Sequence, residues 1–300
     1  MSSYVYVKLP RAGLGNRLFV LAKGIIYSKL HDTPLLVDGL AGFSIGPYLR
    51  GEKVKRNYHG YFDIKHNGWC RRKIIYYLFN HVVEPEISNS IDWIHASRLY
   101  LFKNIPHWSD LFKDIREYRE VVRVNLLNII SKKYLELAAK NETPVVGIHI
   151  RMGDFRKLGQ SENFAKVGAV RTPLSYFTRL INLIREIHGS ALPVTIFSDG
   201  FECELSDILS LPQVKLAGRN SDIVDMLLMS KSRLIVTSAG STFGQWAGFL
   251  SDSPVVHHYQ HYHAPSRPVD VNRKYFEGVV DIDGDSLPEL LVNNIRSINY

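Results

Sequence analysis

The sequence predicts an α/β protein built on parallel β-sheets, and two patterns carry that prediction. Over residues 4–38, a β-forming segment, a glycine turn, a helically patterned segment and a second β-forming segment follow one another. From residue 144 onward, short apolar segments alternate with amphipathic ones. Strands that alternate with helices form βαβ units and pair in parallel. We therefore expect a doubly wound α/β domain in the second half of the chain.

Length and composition are those of an ordinary globular protein. The chain has 300 residues, enough for two domains or one large one. Hydrophobic residues make up 45% of it and charged residues 22%, which excludes a disordered or fibrous protein. The net charge of +8 favours anionic partners: nucleotides, phosphates, acidic lipid or nucleic acid. Two cysteines, Cys70 and Cys203, cannot form a disulfide framework, and we expect both to be reduced.

The first half carries one clear βαβ unit and one long helical pattern. Its predicted elements are, in order, a strand at 4–9, a turn at 10–15, a helix at 16–30, a strand at 34–38, loops and short elements over 39–104, and a helix at 109–140. A polar segment with a proline, 141–144, ends the last helix. We place the domain boundary there, giving domains 1–142 and 143–300.

The second half alternates regularly. Thr172 and Pro173 suit the cap and the first position of one of its helices. The predicted strands are 144–150, 194–198, 214–216, 233–237 and 254–257, and the predicted helices are 173–188, 201–209, 221–230, 241–250 and 287–298. Ligands of such sheets bind beyond the carboxyl ends of the strands. Motifs that directly follow a strand are therefore the candidate functional residues.

The most distinctive motif is His-x-Arg-x-Gly-Asp at residues 149–154, where an apolar strand ends. Alternation along a strand places His149, Arg151 and Gly153 on one side. A guanidinium suits bidentate contact with phosphate, and Asp154 could hold that guanidinium or bind a ligand hydroxyl. The pattern alone fits a structural Arg–Asp pair equally well.

A second motif, residues 11–17, links the first strand to its helix. Gly13 and Gly15 at a helix start, followed by Asn16 and Arg17, form a favourable site for an anion. The motif lacks the third glycine of a dinucleotide fingerprint and the Gly-Lys-Ser/Thr of a P-loop. These absences argue against a dehydrogenase and a P-loop kinase.

A third motif follows the strand at 233–237 and opens a helix. Ser238, Ser241 and Thr242 could offer hydroxyl and backbone N–H groups to an anion, with Phe243 directly after them. A plain helix cap would have the same residues.

A fourth motif, Phe-Ser-Asp-Gly at 197–200, ends another strand. Ser198 and Asp199 lie where a ribose or base could be bound, because Asp199 can accept hydrogen bonds from hydroxyl or amino groups. In isolation the same four residues are equally compatible with a plain turn.

Other features favour no separate function. The histidines at 257, 258, 261 and 263 are interleaved with tyrosines and lack a familiar ligand spacing, so we predict no metal site. The basic and aromatic segment 69–77 suggests an acceptor-facing or membrane-facing surface, or simply core and rim. The amino terminus lacks the layout of a signal peptide, and no apolar run is long enough to span a membrane. We expect a cytoplasmic protein.

Taken together and in order, these motifs resemble one family, the α-1,2-fucosyltransferases, and more distantly the plant xyloglucan and protein O-fucosyltransferases. The matching segments are 13–16, 149–154, 197–199 and 225–250, and the resemblance spans about residues 4–257. The chain departs from the family pattern at Ala12, at Arg17, at Met152, where bacterial members carry a second arginine, and over 238–246. The missing arginine leaves the donor sugar open.

The resemblance implies a GT-B fold, in which two Rossmann-like domains face each other across a cleft. The carboxy-terminal domain would bind GDP-fucose and the amino-terminal domain the acceptor, with inversion at the sugar and no metal or other cofactor. The implied catalytic residues are Arg151, His149, Asp154 and Asn16. The implied donor-binding residues are Gly13, Gly15, Asn16, Arg17, Arg151, Ser198, Asp199, Ser238, Ser241, Thr242 and Phe243.

In that scheme Arg151 would hold the donor pyrophosphate and offset the charge on departing GDP. Ser241 and Thr242 would contact phosphate, Asp199 would lie near the nucleoside, and Asn16 would reach the donor from the other domain. No residue is assigned as the catalytic base. A loose transition state in which phosphate takes the proton is compatible with the motifs.

The hypothesis is therefore an inverting α-1,2-fucosyltransferase that acts on a galactoside in surface-glycan or O-antigen assembly. Its partners would be a nucleotide sugar and a glycan, free or lipid-linked, with peripheral contact at the inner face of a membrane and no nucleic acid. Two alternatives stay open: the same fold with another nucleotide sugar, and a non-catalytic nucleotide- or glycan-binding module. A nucleic-acid binder driven by the charge of +8 ranks last.

Overall fold

The computed structural model describes residues 3–40, 46–49, 51–53, 57–65, 68–88, 97–159, 161–260, 262–270, 272–282, 284 and 286–300. The chain divides into two compact units, the first of residues 1–44 and 56–134 and the second of residues 45–55 and 135–300. The division after Tyr134 precedes the expected boundary at 142, and a short segment, 45–55, belongs to the second unit.

The first unit has a parallel four-stranded sheet in the order β2-β1-β4-β3. Its strands are β1 (Tyr4–Lys8), β2 (Leu35–Asp38), β3 (Asn80–Val83) and β4 (Arg98–Phe102). Its helices are α1 (Leu14–Leu30), α3 (Trp69–Leu78) and α4 (Arg119–Ile129), with 3-10 turns at Trp108–Asp110 and Arg116–Tyr118. The predicted amino-terminal βαβ unit is confirmed.

Close packing of α1 on β1 depends on a glycine. A Cβ at Gly24, in the middle of α1, would overlap the Val7 side chain, so the helix approaches the sheet more closely than an alanine allows. On another part of the sheet, buried Tyr6, Leu36 and Leu99 pack with Ile75 of α3. The sheet is therefore covered by helices, as a parallel sheet requires.

Two expectations for the first half are corrected. The region predicted as loops contains α3, β3 and β4, and β4 pairs with both β1 and β3. The single helix predicted over 109–140 is two helices, α4 and α5 (Lys132–Lys140). Helix α4 ends because Ile130 takes an extended conformation and bridges Phe62, while the Ser131 N–H donates to Tyr61 O at 2.9 Å.

The second unit has a parallel six-stranded sheet in the order β10-β9-β8-β5-β6-β7. Its strands are β5 (Val146–Ile150), β6 (Val194–Ser198), β7 (Val214–Leu216), β8 (Leu234–Val236), β9 (Val255–His257) and β10 (Glu277–Val279). Its helices are α2 (Gly46–Leu49), α6 (Leu174–His188), α7 (Ser206–Leu209), α8 (Asp222–Ser230), α9 (Thr242–Leu250) and α10 (Glu289–Arg296), with 3-10 turns at Phe164–Lys166 and Glu202–Leu205.

The predicted doubly wound architecture of the second half is confirmed, apart from local differences. Edge strand β10 was not predicted, because its three residues include a glycine and no regular alternation. Helix α6 begins at Leu174 with Pro173 as its cap residue, so Thr172 is not the cap. None of the helices in the described part of the chain is both long and apolar enough to cross a membrane.

Candidate functional site

Three of the four predicted motifs meet at one edge of the second unit's sheet. Strand β5 lies between β8 and β6, and all three run parallel, so their carboxyl ends lie side by side. Each motif continues its strand into a loop: Arg151 follows β5, Asp199 follows β6 and Ser238 follows β8. The structure thus brings together residues that are up to 87 positions apart in sequence.

Arg151 is the centre of this cluster. Its guanidinium forms ion pairs with the carboxylates of Asp199 and Asp154, the latter at 2.6 Å, and lies over the Phe155 ring. The backbone N–H of Arg151 donates to Ser238 Oγ at 3.2 Å. Because a guanidinium carries five N–H groups, an arginine held by two carboxylates can still donate to a bound anion.

Asp199 also shapes the loop after β5. Its Oδ1 accepts from the Met152 N–H at 2.7 Å and from the Gly153 N–H at 3.1 Å. A Cβ at Gly153 would overlap the Asp199 carboxylate, which explains the glycine at this position. Ser198 joins the two strand ends, since its Oγ donates to Ile150 O at 2.7 Å and accepts from the Gly200 N–H. These hydrogen bonds tie Asp199 and Ser198 to neighbouring protein groups at the two strand ends.

His149 is buried in the sheet rather than exposed to a ligand. Its Nδ1 is 3.2 Å from Ser238 Oγ, and its ring lies 4.9 Å from that of Phe243. Burial, and secondarily the Arg151 charge, lowers the pKa of His149 to about 3. The imidazole is therefore neutral near pH 7 and unsuited to accept a proton there. Its contacts position Ser238 and the start of α9.

The third motif forms the amino-terminal end of α9. Gly240 has φ of 62°, a conformation that favours glycine, and the chain then enters the helix with Ser241 as the cap residue. Ser241 is buried, whereas Thr242 and Phe243 are half-buried. A Cβ at Gly244 would lie 3.1 Å from Thr237 and 3.4 Å from His149, so α9 packs directly on the strand ends. The positive end of the helix dipole is thereby placed beside the loop after β8.

Three residues of this region were not predicted as site residues. Thr172 Oγ1 accepts from the Ala239 N–H at 3.1 Å and so fixes the loop before α9. Lys53 Nζ, from segment 45–55, donates to Gly200 O at 3.0 Å. Asp225, in the first turn of α8, accepts from Asn220 Nδ2 at 3.0 Å. Burial, with a further contribution from Asp222, raises the pKa of Asp225 to about 7.

A sequence signal existed for one of the three. Asp225 falls inside the matching segment 225–250, although no role was assigned to it. Lys53 had no such sequence signal, because only the tertiary structure attaches segment 45–55 to the second unit.

The second motif belongs to the first unit and is described by itself. Gly13 is the cap residue of α1, and a Cβ there would meet no atom within 4 Å. Gly15 is buried and Asn16 half-buried in the first turn. Arg17, in contrast, is buried: its guanidinium donates to Ala12 O and Gly39 O, both at 2.9 Å, and lies over the Tyr58 ring. The structure therefore gives Arg17 a role in closing the loop before α1, rather than a surface position for a ligand.

The histidine-rich segment is largely structural. His257 Nε2 lies 3.2 Å from Glu277 Oε1, and Glu277 also receives bonds from Ser266 and Arg267. His261 lies outside the described residues. Within the described ranges, no group of three or more His, Cys, Asp or Glu side chains is arranged to hold a metal ion.

Solved structures with a similar fold are fucosyltransferases. A structure of the α-1,6-fucosyltransferase NodZ soaked with GDP-fucose matches with a TM-score of 0.50 at 14% identity, covering 84% of this chain and 94% of that chain. A second NodZ structure, from Bradyrhizobium, has 15% identity, a TM-score of 0.49 and coverages of 84% and 94%. A GDP complex of Arabidopsis thaliana FUT1 has 15% identity, a TM-score of 0.46 and coverages of 87% and 71%. The fold is that of the GT-B glycosyltransferases, as predicted.

The sequence profile of glycosyl transferase family 11 matches residues 87–266, which is more than half of the chain. The chain belongs to this family. The family resemblance predicted from the motifs is thereby confirmed, and the matched range contains the three motifs at the carboxyl ends of β5, β6 and β8. No curated protein matches the chain.

Proposed function

We propose that this glycosyltransferase moves L-fucose from GDP-fucose to a hydroxyl group of a galactoside in α-1,2 linkage, with inversion and without a metal ion. Two observations support GDP-fucose as the donor. The chain belongs to glycosyl transferase family 11, and the similar NodZ structure was soaked with GDP-fucose. The α-1,2 linkage and the galactoside rest on the motif resemblance alone, because NodZ is an α-1,6 enzyme. We place the reaction in surface-glycan or O-antigen assembly in the cytoplasm.

One observation carries this proposal: Arg151 lies at the end of β5, oriented by two carboxylates and close to the start of α9. Transfer breaks the bond between the sugar C1 and a phosphate oxygen, and negative charge develops on the leaving diphosphate. An oriented guanidinium and a helix amino terminus stabilise that charge. Arg151, Ser241 and Thr242 are the residues proposed to contact the diphosphate.

The acceptor oxygen forms the new bond to C1 and must lose its proton. His149 is unsuited to take it, because the pKa of its buried imidazole is about 3. The Asp154 carboxylate is paired with Arg151. We propose that the proton passes to an oxygen of the departing diphosphate. The leaving group then carries the proton away, and no side chain has to act as the base. Gly13 and Asn16, at the start of α1, are the proposed contribution of the first unit.

The alternative donor hypothesis arose from Met152, which stands in place of a second arginine. Met152 is buried in the core with Ile150 and Phe177. Its side chain is 4% exposed and packs against Gly200, so it presents little surface to a donor. The departure at Met152 is therefore no argument against GDP-fucose as the donor.

Calorimetric binding of GDP, UDP, CDP and dTDP, with and without EDTA, tests the donor. The expected result is selective, EDTA-insensitive binding of GDP that Arg151→Ala abolishes. Arg233→Ala is the matched control, because Arg233 is exposed at the opposite, amino end of β8. Selectivity for another nucleotide would exclude the fucose donor, and an absence of all nucleotide binding would overturn the catalytic assignment.

The acceptor is tested by incubating GDP-fucose with a panel of galactosides and determining the linkage of any product by NMR. An α-1,2-fucosylated galactoside is expected. Release of GDP with another linkage would retain the fucosyltransferase and correct its regiochemistry. Binding of GDP-fucose without transfer to any acceptor would point to the non-catalytic module.

A further inference from the structure

Among the residues that the structure describes, helix α3 of the first unit contacts its sheet through one side. Ile75 is buried with Tyr6, Leu36 and Leu99. Arg72 Nη1 donates to Val37 O at 2.7 Å, and the Tyr76 ring lies 5.2 Å from that of Tyr6. These contacts define the inner face of the helix.

The outer face of α3 is strongly apolar. It consists of Trp69, Ile74, Tyr77 and Leu78, whose exposed fractions are 65%, 57%, 77% and 75%. At 100° per residue these four side chains lie within one half of the helix circumference. Lys73 lies on the same half of the helix, between Trp69 and Tyr77. Exposed apolar residues scattered singly are normal, but four of them on one half of a single helix indicate an interaction surface.

The charge around this face is positive. Of the three basic residues in α3, Lys73 lies on the outer half and Arg71 borders it, whereas Arg72 is on the inner face, 3.6 Å from Asp38; α3 contains no acidic residue. Arg71 flanks the outer face and also lines a neighbouring cavity of about 660 Å³, together with Lys29, Lys65, Asn125 and Asn128. Asp63 is the acidic residue in that lining. An apolar face next to a basic cavity therefore suits a partner that is both apolar and anionic.

We propose that the outer face of α3 docks onto the surface of a membrane that contains anionic phospholipids. Trp and Tyr prefer the boundary between acyl chains and headgroups, while Ile74 and Leu78 can enter the acyl region. Lys29, Lys65 and Arg71 then meet the phosphate groups of the lipid headgroups. Each basic side chain near an anionic leaflet strengthens binding about fivefold, a gain that salt weakens.

This proposal does not depend on the donor or the acceptor. It concerns a surface of the first unit, whereas the proposed diphosphate site lies at the sheet edge of the second unit. Because nucleotide binding reports on the second unit, far-UV circular dichroism and the melting temperature serve as the test of correct folding in every variant. A second copy of the chain is the rival occupant of the same face, and the experiment separates it from a lipid surface.

The first test is co-sedimentation with vesicles of phosphatidylcholine alone or mixed with phosphatidylglycerol. Binding is expected to the mixed vesicles and to weaken with salt. The triple variant Trp69→Ser, Tyr77→Ser, Leu78→Ser should bind at least about tenfold more weakly. Trp108→Ser is the control, because Trp108 is an exposed tryptophan of the same unit outside α3. A double variant Lys29→Glu, Lys65→Glu should lose the preference for anionic lipid.

The second test uses the two exposed cysteines as matched probes. Cys70 lies in α3, between the outer-face residues, and Cys203 lies in the second unit. An environment-sensitive dye on Cys70 in Cys203→Ser should shift to the blue with mixed vesicles. The same dye on Cys203 in Cys70→Ser should change little.

Equal binding of the triple variant and the native chain, or no binding to anionic vesicles at low salt, would overturn the proposal. Concentration-dependent dimerisation that the triple variant abolishes, without vesicle binding, would also overturn it in favour of a second copy. In each case an unchanged far-UV circular dichroism spectrum and melting temperature exclude misfolding as the cause.

Discussion

Asp199 binds the guanidinium of Arg151 through one carboxylate oxygen and, through the other, the backbone N–H groups of Met152 and Gly153 at 2.7 and 3.1 Å. One side chain therefore positions both the cation and the loop that carries it. The motif resemblance predicted a nucleoside contact for Asp199. The structure gives it a role in positioning Arg151, which is where a loss of the carboxylate should have its effect.

Replacing Asp199 with Asn should slow transfer more than it weakens substrate binding. The amide oxygen can still accept from the Met152 and Gly153 N–H groups, but the charge that orients Arg151 is lost. A small displacement of a catalytic group costs up to about 100-fold in rate, and we expect a 10- to 100-fold fall in kcat. Steady-state kinetics check this, with melting temperature as the control. A raised KM with unchanged kcat would instead indicate that Asp199 contacts substrate.

Lys53 should contribute to nucleotide affinity. Asp154 and Asp199 together outweigh the single charge of Arg151, and the Lys53 ammonium, bound to Gly200 O, adds a cation at the same strand end. We expect Lys53→Ala to weaken GDP binding about 5- to 20-fold, in proportion to the loss of one charge contact. Lys215→Ala is the control, since Lys215 is an exposed lysine of the same unit that pairs with Glu142. Equal GDP affinity in both variants would remove Lys53 from the site.

Asp225 should make the protein less stable as the pH rises. Burial raises the pKa of Asp225 to about 7, so the folded state holds its proton more tightly than the unfolded state does. The stability contribution of this group is complete below about pH 4 and is lost as the pH rises toward about 7. Asp225→Asn should therefore raise the free energy of unfolding at pH 8 by on the order of 1 to 3 kcal/mol, with little change near pH 4.

Urea denaturation at both pH values measures this difference. Asp207→Asn, at an exposed aspartate of α7, is the control and should show no such pH dependence. A variant Asp225→Asn that is equally or less stable than the native chain at pH 8 would contradict the raised pKa.

We expect Gly13 to be needed for activity, through ligand binding, and not for the stability of the fold. A Cβ at Gly13 meets no atom within 4 Å, and its φ of −61° is open to any residue. Gly68 has the same local structure: it is the cap residue of α3, its φ is −60°, and a Cβ there would also meet no atom within 4 Å. Gly13→Ala and Gly68→Ala should each change stability by less than about 1 kcal/mol. Only Gly13→Ala should impair transfer, and equal activity of the two variants would remove the α1 turn from the site.

The regular alternation of the second half was sufficient to predict all its strands except β10, because buried parallel strands are continuous apolar runs separated by helical patterns. It was also sufficient to place Arg151, Asp199 and Ser238 at strand ends. The first half was harder. Strand β4, with the sequence RLYLF, lies between β1 and β3. It was not predicted, because the segments on either side of it show no clear helical periodicity. The break between α4 and α5 depends on pairing of Ile130 with Phe62, which is distant in sequence.

What the sequence determined by itself is the class of fold, the family and the identity of the motifs, since these depend on local pattern and order along the chain. The roles within the motifs were decided by tertiary packing. Arg17 and Arg151 both stand beside glycine-containing turns, but one guanidinium is buried against backbone carbonyls and the other is held at a sheet edge by Asp199. Strand order brings Asp199 beside Arg151, and a hydrogen bond to Gly200 O attaches Lys53 to the same edge. The pKa of a side chain depends on its burial and on neighbours from distant segments, so only the folded chain lowers the pKa of His149 and raises that of Asp225.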